Sequence, residues 1–383
     1  MYDHTVERLV THGRLPDEAP LDPRWDGKGG LDGFLNTYFR VQKVLAHIPR
    51  PQLFDAVMQQ AEKQGIVYVE VLTSLRTLRP NWQQLATADE SHDQKHQADD
   101  PLELAQAVAP TLVEMRDAAR RHRTHVGVLC ALGPRHGPDH MRSVLRAAKL
   151  LRNQGLPVVG VGISGEYTDF APINRMLHQE GLDGLLWVPH AGELPQEPNL
   201  QAALEGDPPL PSRIAHGIEA QANPDLARLL SKHNICCDIA PTSNEMLGAC
   251  SPGRHPVVDM IRAGIPCTIS PDDSLLFGTD VCDEYERVQQ MGATPQELVG
   301  LARNSIIHAG ADHRLRRKWL ADLDSWGSQH LGQVPLVELL QQQTNAEEHT
   351  GEVHRCGSPR TTDGKPCMHL VRPGQRCPDH RVA

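Results

Sequence analysis

The chain has 383 residues, 39% of them hydrophobic, and a formal net charge of −10. That is an ordinary globular composition with enough chain to bury a large core. The acidity excludes a body that grips nucleic acid broadly, and no apolar run approaches the 18 residues of a membrane-spanning helix. Length fits two or three domains, or one α/β barrel with a small extra module. Six of the nine cysteines are scattered through the body. An odd count without a compact framework reads as reduced thiols, and no secretory signal pattern is visible, so the cytoplasm is the expected compartment.

In chain order, residues 31–48 read as a helix. From about 60 to 330, short β-branched runs alternate with amphipathic stretches. The runs are Ile66–Leu72, His125–Leu132, Val158–Ile163, Leu185–Pro189, Arg213–His216, Ile235–Ala240 and Pro266–Ser270. Short, continuous and rich in Val and Ile, they read as buried parallel strands. Between them, Leu104, Val108, Leu112, Met115 and Ala119 fall on one helical face, interrupted by Pro110. Asn223-Pro224 before Leu226, Leu229 and Leu230 marks a helix start. Residues 86–101 read as an acidic surface loop, 192–212 as a Pro-rich insert and 341–353 as a polar linker. The predicted fold class is α/β, a (β/α)8 TIM-type barrel over residues 1–335, with seven strands found where closure takes eight. A helix end and linker follow over 336–353 and a small zinc-binding module over 354–383.

Parallel barrels place chemistry where strands end. Here the ends carry Ser164-Gly165-Glu166, His190-Ala191-Gly192-Glu193, His216-Gly217 and Asp272-Asp273. Any one of these is more often a turn or a helix cap than a site. Together they need a common cause, because adjacent carboxylates repel unless a cation or proton lies between them. Imidazoles and carboxylates around one point fit metal-assisted hydrolysis, with Zn2+ as the expected ion.

These motifs resemble the adenosine deaminase family. His190-Ala191-Gly192-Glu193, Arg213–Gly217, Pro241-Thr242-Ser243-Asn244 and Asp272-Asp273 occur in that family's order, and GIVYVEV (65–71), residues 255–280 and LARNS (301–305) resemble its flanking segments. The resemblance implies hydrolytic deamination of adenosine or a related 6-aminopurine compound, such as adenine, a nucleotide or an aminofutalosine-type metabolite, giving the 6-oxo product and ammonia. By the same resemblance His190 and Asp272 are zinc ligands and Glu193 protonates purine N1. His216 orients the attacking hydroxide, Asp273 contacts hydroxide and purine N7, and the Gly165 backbone reaches N3. The helix at 31–48 resembles the family's lid. Departures are Leu72 for an Arg, Ala240 for a Cys, Pro271 for a Thr and Ser274 for a Pro.

The family opens with a strand ending in His-x-His. Here Thr5–Val10 already looks like the helix after it, and His4 stands alone. The expectation is that the native protein has this strand upstream, and that the chain as written holds zinc weakly and is impaired. The rivals are a strand supplied by another segment or subunit, and a non-catalytic binding protein with a partial purine site. The last 33 residues carry six Lys/Arg against three Asp/Glu. Cys356, Cys367, Cys377 and His380 are spaced C-x10-C-x9-C-x2-H, which predicts a structural Zn2+ in a segment with almost no apolar core, with His354 and His369 as spare ligands. Such a tail suits a protein or nucleic-acid partner.

Overall fold

The computed structural model describes residues 23–80, 99–163, 169–194, 199–205 and 210–331, with the backbone of 354–355 and 370–371. All seven predicted strands are present. They are β1 (Tyr68–Thr73), β2 (His125–Ala131), β3 (Val158–Ile163), β4 (Leu186–Ala191), β5 (Arg213–His216), β6 (Cys236–Ile239) and β7 (Cys267–Ile269). They form one all-parallel sheet in sequential order, with β1 and β7 at its edges. The chain divides into two compact units, Met1–Ala321, which holds this sheet, and Asp322–Ala383.

The sheet is curled. Arg213 at the start of β5 is ion-paired with Glu70 on β1, four strands away. In a flat sheet those strands would lie about 19 Å apart at the usual interstrand spacing. The contact closes only if the strands wrap round, as in a TIM-type barrel.

Helices cover the outer face because a parallel connection must cross back over the sheet. α1 (Gly30–Leu45) and α2 (Arg50–Lys63) precede β1, and α3 (Pro101–Arg121) precedes β2. Asp100 caps α3 by accepting from the Leu102 and Glu103 amides, with Pro101 in its first turn. Pro110 lies inside α3, and the helix continues through it because Leu104, Val108, Leu112, Met115 and Ala119 bury one unbroken stripe. α4 (Pro138–Asn153) and α5 (Ala171–Glu180) flank β3. α6 (Leu200–Leu204) corrects the reading of 192–212 as insert alone: Leu200, Ala203 and Leu204 have helical spacing and are buried. α7 (Pro224–Lys232) starts as predicted, with the Asn223 side chain accepting from the Asp225 and Leu226 amides.

After β6 come α8 (Pro241–Met246) and α9 (Val257–Arg262). After β7 come α10 (Ser274–Phe277), α11 (Val281–Gln290), α12 (Pro295–Ile307) and α13 (His313–His330). Leu145, Leu151, Val161, Trp187, Ile214 and Ile239 belong to one continuous core between sheet and helices. No helix among the described residues is long and apolar enough to cross a membrane. The second unit includes the end of α13 and an antiparallel pair, His354–Arg355 with Leu370–Val371. The segments 5–10, 86–98 and 341–353, Gly165, and the predicted tail ligands Cys356, Cys367, Cys377 and His380 lie outside the described residues.

Candidate active site

The C-terminal ends of β4, β5 and β7 bring the predicted polar residues together. His190 is the penultimate residue of β4, opposite Ala215 of β5, and Ala191 lies opposite His216. The following turn is tightly held. The Gly192 amide donates to Asn199 Oδ1 at 2.6 Å, and Glu219 Oε2 accepts from the Asn199 and Leu200 amides. Gly192 has φ +66°, and a Cβ there would press on Glu219, Gly217 and Leu200. The glycine of His-Ala-Gly-Glu is therefore required by the close approach of the β4 and β5 turns.

His216 ends β5 at φ 69° and Asp272 follows β7 at φ 55°, both left-handed positions for residues with a Cβ. Such strain concentrates at functional sites when the surroundings enforce it. After His216, Gly217 is also left-handed, and a Cβ on it would lie 2.6 Å from Cys237 Sγ.

The result is a compact group of donors. Ligand atoms of Glu193, His216 and Asp272 lie within 4.8 Å of one another. His216 Nε2 is 3.5 Å from Glu193 Oε2, and the His190 and His216 rings are 5.2 Å apart. His190 Nδ1 is buried and has no hydrogen-bond partner among the described residues. A buried nitrogen without a partner beside two carboxylates is the donor set a zinc ion accepts. Burial holds the pKa of both His190 and His216 below the ordinary imidazole value, which leaves each neutral.

The carboxylates are shifted the other way. Burial, and then the charge of Asp272, raise Glu193 to about 7. Asp273 is also raised to about 7, by burial first and then by Asp272 and Glu193. Two acids poised near neutrality in one pocket are suited to moving protons.

An aromatic cluster lies on the elements next to the Asp pair. Trp25, Phe34 of α1, and Phe277 of α10 form it, with Phe34 and Phe277 stacked at 5.0 Å. Tyr38 of α1 is raised to about 12 by burial and by Asp273. The helix predicted at 31–48 thus packs beside the Asp pair. Asn199 and Glu219 were not singled out in the sequence, because a turn-holding contact between separate strand ends leaves no local pattern. His255 lies at no strand end and carries no local signal, although it reaches the site through Asn244.

Comparison with known proteins gives the family and the fold. A family model described as adenosine deaminase matches residues 14–326. An aminodeoxyfutalosine deaminase of Acidothermus cellulolyticus is 34% identical over 203 residues, 48% of this chain and 54% of that one. An adenine deaminase of Streptomyces coelicolor is 26% identical over 303 residues, 77% of this chain and 82% of that one. The chain spans 54–64% of the length of three of the curated relatives it matches. The solved structure of an adenine deaminase from Arthrobacter aurescens superposes with a TM-score of 0.63 at 21% identity, covering 82% of this chain and 90% of that one, which shows a shared fold.

Proposed function

The chain belongs to the adenosine deaminase family, and on that premise we propose that it hydrolyses the exocyclic amine of a 6-aminopurine compound. Water adds at the amine-bearing carbon, the C–N bond breaks, and the 6-oxo product and ammonia leave. The observation that carries this reading is Glu193, a buried carboxyl raised to about 7 within 3.5 Å of His216 Nε2. A carboxyl still protonated near neutral pH can donate to a ring nitrogen, which makes the adjacent carbon electrophilic.

His190 and Asp272 would hold zinc. When bound, zinc lowers the pKa of water and makes a nucleophile available near neutral pH. His216 orients the attacking water. Asp273, close enough to share charge with Asp272 and Glu193, takes up a proton from it and contacts the purine. The aromatic cluster of Trp25, Phe34 and Phe277 excludes water from the face near α10. Substrates named for relatives set the test range: adenine for the Streptomyces coelicolor protein and aminodeoxyfutalosine for the Acidothermus one. The raised carboxyls favour catalysis over a purine-binding protein, which gains nothing from acids poised near neutrality. An eighth strand completing the barrel, and a second zinc on Cys356, Cys367, Cys377 and His380, belong to the same reading and rest on the sequence motifs.

The test is an assay of the zinc-loaded chain with adenine, adenosine, AMP and aminodeoxyfutalosine, following purine absorbance and ammonia. One of these is expected to release stoichiometric ammonia. Glu193→Gln should lower kcat by about 100-fold to 10,000-fold, the usual contribution of a positioned proton donor. Unchanged turnover in Glu193→Gln would overturn the assignment.

A further inference from the structure

His216 does not face the site unsupported. Its Nδ1 lies 3.1 Å from Asn244 Nδ2. Asn244 Oδ1 lies 3.1 Å from His255 Nε2. His255 Nδ1 in turn lies 3.1 Å from the Val257 amide. Asn244 is fully buried, and His216 and His255 are 3% and 6% exposed, so bulk water has no ready access to exchange protons along this chain.

Only one polarity satisfies every link. A backbone amide can only donate, so His255 Nδ1 accepts and carries no proton. The ring's single proton is then on Nε2. Burial and the neighbouring His216 and Arg287 push His255 down to about 4, in keeping with a neutral ring. His255 Nε2–H requires an acceptor, so the Asn244 carbonyl oxygen faces it. The Asn244 amide nitrogen therefore faces His216 and donates to Nδ1. That acceptor role excludes both the Nδ1–H tautomer and the imidazolium. The remaining proton sits on His216 Nε2, on the side of Glu193.

We propose that Asn244 and His255 are positioning residues, a relay of fixed polarity running from the Val257 amide that locks His216 in the Nε2–H tautomer. His216 then meets the reacting water as a hydrogen-bond donor. It cannot accept a proton at Nε2, nor ligate a metal there. His216 is thereby removed from the metal-capable cluster of Glu193, His216 and Asp272, and His190, which lies outside that cluster but has a buried, unpartnered Nδ1, is the imidazole left to bind a metal. The position of Asn244 is itself fixed. It lies in α8, whose Thr242 amide is held by the buried carboxylate of Glu284 on α11. The Asn244 backbone carbonyl accepts from the Ala249 amide at 2.8 Å.

The catalytic consequence rests on the deaminase reading, whereas the tautomer does not, and the experiment separates them. The full chain is labelled with 15N-histidine, and the His216 signals are assigned by their loss in His216→Asn. The wild type is expected to show an unprotonated Nδ1 and a protonated Nε2. Asn244→Asp has the same shape but only accepts, so it draws the His216 proton to Nδ1. Its spectrum should show the two nitrogens exchanged, with a thermal unfolding midpoint near that of the wild type. With a turned-over substrate, kcat should fall at least about 100-fold, as expected for a catalytic imidazole in the wrong tautomer, and KM should stay within about threefold. A protonated Nδ1 in the wild type overturns the relay without any variant. So does an Asn244→Asp protein that keeps the wild-type signature and kcat. An exchanged signature in a chain that deaminates nothing supports the relay and overturns the deaminase reading instead.

Discussion

His308 shows how a single half-buried side chain sets a pH response. It follows α12, and burial with the nearby Arg213 and Arg316 guanidinium groups pushes it down to about 4. In the unfolded chain it takes up a proton near 6.5. Between those values the unfolded state binds more protons than the folded one, so stability falls as pH drops from about 6.5 to about 4. His308→Gln removes that loss. Compared with wild type, the variant should gain about 2 kcal/mol on going from pH 8 to pH 5, read as the difference between urea unfolding curves. An equal response of the two proteins would show that His308 is accessible to protons in the folded state. At this scale the sequence offered candidates, since His190, Glu193, His216 and Asp272-Asp273 lie at or just after strand ends. It did not show which proton each one carries. That depends on partners such as Asn244 and His255, which are placed by separate elements.

Among the elements, α8 and α11 form a unit that supports the site. Asp280 caps α11 through a capping box with Asp283. One turn later Glu284, fully buried, accepts from the Thr279 hydroxyl at 2.7 Å and from the Thr242 amide at 3.1 Å. The start of a six-residue helix has too few internal hydrogen bonds to hold itself, so a side chain from another helix supplies one. Glu284→Ala leaves a buried amide and a buried hydroxyl without partners. It should cost about 1–3 kcal/mol in urea unfolding with an unchanged m-value. A smaller loss would mean that α8 finds another partner. The helix starts at Asp100 and Asn223 were legible because capping is local chemistry within three residues. The α8 support was not, because its donor and acceptor lie 42 residues apart.

For the whole molecule, the critical group is Arg213, at the opposite end of β5 from His216. It pairs with Glu70 of β1 and with Asp238 of β6 at 2.9 Å, and donates to the His308 carbonyl at 2.6 Å. Glu70 also accepts from Tyr68 and from the Gly310 amide, and Asp238 accepts from Thr268. One buried cation thus ties three strands and the segment after α12 into the curled sheet. Truncation that leaves two largely buried carboxylates without their counter-ion is costly, so Arg213→Met should lose about 3–5 kcal/mol in denaturant unfolding. Adding Glu70→Gln should recover part of it. A loss below about 1 kcal/mol would show that the curl is held by side-chain packing alone.

The sequence by itself determined the seven strands, the helices between them and the order of the chemical motifs. Each of these is written in local spacing: β-branched runs, helical periodicity, caps and strand-end residues. Its reading of 192–212 missed α6, because five helical residues among prolines make a weak periodic signal. Only the tertiary structure decided that Arg213 and Glu70, 143 residues apart, meet across the curled sheet. It likewise decided that Val257 fixes the proton on His216 through two intervening side chains. Such contacts depend on which strand ends come to lie side by side, and chain closure sets that after the local elements have formed.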